Sequence, residues 1–114
     1  MKELPEELRA MRDRFALVVE RWDLEEDEVT FLLGLDRIGV QPCSARLPVV
    51  AETSMRLLVE LDGLLSQRMS QSEIALWARA EAGDGPDPVT FMSLGVHHLR
   101  AMVVAARLRD ASGV

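Results

Sequence analysis

Apolar residues recur in steps of three and four along most of this chain, and Gly and Pro cut the pattern into short lengths. Leu8, Met11, Phe15, Val18, Val19 and Trp22 make one series, and Val29, Leu32 and Leu33 a second. Val50, Leu57, Leu58, Leu61, Leu64 and Leu65 make a third. That spacing gathers the apolar residues on one stripe of a helix. The breakers Gly34, Gly39, Pro42, Pro48, Gly83-Asp84-Gly85-Pro86 and Gly95 keep each helix short. Leu, Val and Ala dominate while β-branched runs are scarce, which favours helices over strands. The expectation is an all-α, single compact domain of about five to seven helices. At 114 residues the chain can bury one core but not two.

Local signals set the expected boundaries. Pro5 suits a first helical turn, with Glu6 and Glu7 at the positive end of the dipole. Asp23 with Glu26 reads as a capping box opening a second helix, whose first turn holds Glu25, Glu26, Asp27 and Glu28 and which Gly34 stops. Adjacent acids on a helix fan outward, so this cluster reads as a solvated helix start and not as a metal site. Leu35–Pro48 is the least regular stretch, with room for a short helical piece around Asp36–Val40. A long central helix is expected from about Val49 to Arg68, with Gly63 off its leucine stripe. Ser70 and Glu73 form another capping box, and Asp87-Pro88 caps and opens a short helix ending near Leu94.

The final helix, expected from Val96 to about Asp110, divides into two apolar faces. Leu99, Met102, Val103 and Ala106 form one, and Ala101, Val104, Ala105 and Leu108 the other. Arg100 and Arg107 separate them on one side, His98 and Arg109 on the other. A helix apolar on opposite faces is either sandwiched within its domain or shared with a second chain. Little chain remains to cover the second face, which favours sharing. The partner-binding residues expected on this ground are His98, Arg100, Ala101, Val104, Arg107, Leu108 and Arg109.

Charge and composition narrow the chemistry. The formal charge of −6 arises in the first 36 residues, which hold five Lys/Arg and eleven Asp/Glu; the remainder holds eight of each. An acidic chain repels phosphate backbones unless it gathers a local basic patch, which weighs against nucleic acid as a partner without excluding it. If DNA were bound, Arg37 and Arg46 would be the cations available in the irregular stretch. Cys43 is the single cysteine and reads as a packing residue, and the charged N-terminus has no apolar leader. A cytoplasmic protein with no membrane span is expected. His97 and His98 are neighbours, so on a helix their rings diverge and do not chelate one ion. No catalytic, cofactor-binding or metal-binding set can be assembled, and no enzyme or cofactor is expected.

Read together, these residues resemble the Xre/MbcA/ParS family of antitoxins over about Arg21 to Leu108. The likeness is sharpest in the family's C-terminal toxin-binding domain. There Trp77, the turn Gly83-Asp84-Gly85-Pro86-Asp87-Pro88, then Val89, Phe91, Met92 and Leu94, and finally Val96–Leu108 follow the family's order. WDLEEDEVTFLLGL (Trp22–Leu35) is similar to the helix before the turn of the family's helix-turn-helix, and MRLLVELDGLL (Met55–Leu65) to the linking helix. The resemblance implies a degenerate helix-turn-helix region over 1–48, a linking helix over 49–69 and a toxin-binding region over 70–114. It further implies an antitoxin that inhibits a RES-domain, NAD-consuming toxin by contact, with Trp77, Pro88, Phe91 and Met92 shaping the domain. DRIGVQPCSARL, broken by Gly39 and Pro42, stands where DNA-binding members carry a basic recognition helix. A DNA-binding regulator and a small helical homodimer are the alternatives.

Overall fold

Each amphipathic stretch buries its stripe against the same core. The computed structural model describes residues 6–37, 39–40, 47–81 and 85–111. Among them the elements are α1 (Glu6–Arg21), α2 (Glu26–Leu32), a 3₁₀ turn (Leu35–Arg37), α3 (Val49–Ser66), α4 (Gln71–Arg79), α5 (Pro88–Ser93) and α6 (Val96–Ala111). No strand occurs among the described residues, and the chain is one all-α domain. Its core runs without a break from Met11, Phe15, Val18 and Trp22 of the α1 region through Leu58 and Leu61 of α3 to Leu99 and Val103 of α6. The expected region boundaries therefore do not divide the hydrophobic core.

The N-terminal helix follows its stripe: Met11, Phe15 and Val18 are buried, and Trp22 is enclosed just beyond the last turn. The start of α2 differs from expectation. Glu25, not Asp23, is the N-cap, and its backbone N–H donates to the Glu28 carboxylate at 2.9 Å. Asp23 instead ends α1 in the left-handed region, with φ +53°. Its N–H donates to the Glu20 carbonyl, and that of Leu24 to the Val19 carbonyl. This is a Schellman closure, and it turns the chain so that Leu24 enters the core. Burial of Leu24 overrides the local capping signal.

The central helix is α3, which packs along both α1 and α6. Its buried face includes Leu58 and Leu61 of the leucine stripe and extends beyond it. Ala51, Ser54, Met55, Leu58, Leu61 and Asp62 are buried, whereas Leu57, Leu64 and Leu65 are half-buried and Val50 is exposed. A helix flanked by two neighbours hides a wider arc than a one-sided stripe describes. Gly63 is exposed, and a Cβ there would meet nothing within 4 Å, so it permits no close approach.

The starts of α4 and α5 are set by their caps. Ser70 accepts the Glu73 N–H at 3.2 Å, while the Glu73 carboxylate accepts the Ser70 N–H at 3.0 Å. Asp87 caps α5 through Thr90, accepting its N–H at 3.3 Å and its hydroxyl at 2.7 Å. Trp77 meets Trp22 edge to face at 5.8 Å, which ties α4 to the end of α1. Among the described residues no helix is long and apolar enough to cross a membrane.

Candidate functional site

The core-facing residues of α6 place its other face outward. Leu99 and Val103 are buried, with Met102 and Ala106 half-buried behind them. At 3.6 residues per turn, Ala101, Val104, Ala105 and Leu108 must then fall on the opposite side. All four are exposed, Val104 by 44% and Leu108 by 67%. No described element of the chain covers this strip. Among the described residues this doubly apolar helix is therefore not sandwiched, and its second face stays exposed.

The borders of the strip differ from each other. Arg100 is exposed. Arg107 forms an ion pair with Glu60 of α3, which pins one border to the body of the protein. Both side chains are substantially exposed, so this pair orients more than it stabilises. Arg109 is exposed, and its main-chain carbonyl accepts a hydrogen bond from the Arg68 guanidinium. His98 lies apart from the strip: its ring packs edge-on to Phe91 of α5 at 5.1 Å, and its Nδ1 is buried without a hydrogen-bond partner. The fold thus brings Ala101, Val104 and Leu108 together with Arg100 and Arg107, and directs His98 to α5 instead.

The two cations considered for DNA fall at the edge of the description. Arg37 closes the 3₁₀ turn, and Arg46 lies outside the described residues, as does Cys43. The acidic first turn of α2 is largely exposed, with Glu25, Glu26 and Asp27 facing solvent. Among the described residues no group of three or more His, Cys, Asp or Glu side chains converges as a metal site would require.

A polar cluster that sequence patterning passed over joins the end of α1 to α3, α4 and α2. Asp62 of α3 is only 5% exposed. Its two oxygens accept hydrogen bonds from Arg21 Nη1 at 2.7 Å and from Trp22 Nε1 at 3.1 Å. Arg79, in the last turn of α4, donates to the Trp22 carbonyl at 2.7 Å, to the Asp23 carbonyl, and to Glu28 at 2.7 Å. Arg79 thereby satisfies carbonyls left open where α1 ends. The one sequence cue was Trp22 itself, since a buried indole N–H needs an acceptor.

No family model, curated protein or solved structure matches this chain.

Proposed function

We propose that this chain is an antitoxin-type protein that docks a RES-domain, NAD-consuming toxin on the outward face of α6 and blocks access to its active site. The observation that carries the reading is the uncovered strip Ala101, Val104, Ala105 and Leu108 on a helix whose other face is already in the core. The sequence resemblance over Arg21–Leu108 supplies the class of partner. Apolar residues in the middle of such a strip would supply the affinity, with Arg100, Arg107 and Arg109 at its polar rim. Inhibition would follow from exclusion alone: a docked helix denies NAD its path, and the antitoxin needs no chemistry of its own.

The test is co-expression with the product of the adjacent gene, followed by purification in low and high salt. The expected result is a complex that persists in high salt, suppresses NAD consumption, and is lost on Val104→Asp or Leu108→Asp. Unabated NAD consumption by a toxin mixed with the folded chain would overturn the proposal.

A second reading rests on a different surface. Phe31, Val49, Val50 and Leu94 are exposed, and Phe31 and Val50 border an apolar groove that also takes in Pro48 and Val96. None of the described residues lining this groove is charged, which suits a second copy of the chain. Sedimentation of Val50→Glu beside the wild type tests this homodimer, which predicts a dimer for the wild type only.

A further inference from the structure

A cleft opens between α3, α4 and α6, beside the outward strip, with a volume of about 290 Å³. That places it at the lower end of small-molecule sites, roughly 300 Å³ and upward. Its walls include Leu61, Leu65, Met69, Trp77 and Met102, and the charged residues among its described lining are Arg68 and Arg109. None of the described residues that line it is acidic, although the chain as a whole carries −6. Arg68 donates to the main-chain carbonyl of Arg109, which holds its guanidinium at the cleft without a carboxylate in that bond.

We propose that this cleft binds a small amphiphilic anion, an aliphatic monocarboxylate whose chain lies against the Leu, Met and Trp walls and whose head group meets Arg68. Charge complementarity selects the anion, since a guanidinium offers paired donors to a carboxylate. The two methionines let the walls adjust to an aliphatic chain. Ala105 of the outward strip and Arg109 at its rim also line this cleft, so the site adjoins the surface proposed for the toxin, while Arg68 and the Leu, Met and Trp walls lie outside that surface.

The test titrates the full chain with decanoate, decanol and decyltrimethylammonium, each below its micelle concentration, following tryptophan fluorescence and methionine methyl resonances. Expected is saturable one-to-one binding of decanoate, roughly tenfold tighter than decanol, as one charged hydrogen bond provides, with the cation weakest. Arg68→Met should bring decanoate down to the level of decanol and leave decanol unchanged. Ala105→Phe, a change at an exposed position, should obstruct the cleft and weaken all three ligands while the unfolding curve stays in place. Equal affinity for the three head groups, absence of saturable binding, or indifference to Ala105→Phe would each overturn the proposal. It would also fall if decanoate failed to bind and the chain sedimented as a dimer that Ala105→Phe dissociates, which would make the cleft a self-interface.

Discussion

Two turn residues and one cap show how single side chains set this fold. Asp23 occupies left-handed backbone that costs an L-residue about 1–2 kcal/mol, and its main-chain carbonyl, not its carboxylate, receives Arg79. Asp23→Gly is therefore expected to stabilise the protein by about 0.5–1 kcal/mol, after allowance for glycine's extra freedom when unfolded. Gly34 presents the opposite case. With φ +70° and open space around a would-be Cβ, Gly34→Ala should cost about 1 kcal/mol through the backbone alone. Urea unfolding of both variants checks the pair. At the start of α5, the Thr90 hydroxyl beside Asp87 holds its carboxyl below the usual aspartate range, against a smaller upward push from burial. The Ser70 hydrogen bonds lower Glu73 in the same direction. A carboxyl depressed in the folded state stabilises above its unfolded pKa, and that contribution is lost as pH falls through the folded value. Thr90→Val should raise the Asp87 carboxyl toward its ordinary value and flatten the acid side of the stability profile. An NMR titration of the Asp87 carboxyl reads the shift directly.

Among the elements, α3 and α4 hold the end of α1 through polar contacts and not only through apolar packing. Asp62 is buried and receives both Arg21 and the Trp22 indole, so Asp62→Leu strands an N–H donor inside the protein. A loss of about 2–3 kcal/mol is expected, since an orphaned buried donor costs its desolvation and the charged bond is lost as well. Arg79→Lys is expected to destabilise nearly as much as Arg79→Met. A single ammonium cannot span the two carbonyls and the Glu28 carboxylate that the guanidinium fork joins. Denaturation midpoints of the three variants test this, and a fully stable Arg79→Lys would contradict the fork argument. The helix boundaries in this half were legible from caps: Ser70 with Glu73, and Asp87 with Pro88, stand where the spacing puts them. At Asp23 the same kind of signal pointed two residues early, because burial of Leu24 fixes the turn and a local cap does not.

For the whole molecule, the decisive feature is an apolar strip left uncovered on a helix that also supplies the core. Val104 and Leu108 contribute little to folding in the free chain, because they are exposed there. Val104→Asp and Leu108→Asp should therefore leave the unfolding midpoint within about 0.5 kcal/mol of wild type. In contrast, Leu99→Ala on the buried side should cost about 2–5 kcal/mol. This contrast separates the two faces by calorimetry before any partner is in hand. With a radius of gyration of 14.1 Å and extents of 48 × 28 × 24 Å, the molecule is drawn out along one axis.

Taken by itself, the sequence determined the all-α class, the capped starts of α4 and α5, the glycine-closed ends of α2 and α5, and the two-faced character of α6. These are local properties: periodicity, caps and breakers act over a turn or two of chain. Tertiary structure decided the rest. It chose which arc of α3 is buried, since α1 and α6 both pack on it and no pattern within α3 records two neighbours. It brought Asp62 to Trp22 across forty residues, and Arg79 to the end of α1 across more. It drew His98 to Phe91 and left Ala101, Val104 and Leu108 outside. A helix carries the same two apolar faces whether one is covered or both, and only the placement of the other helices determines which one meets water.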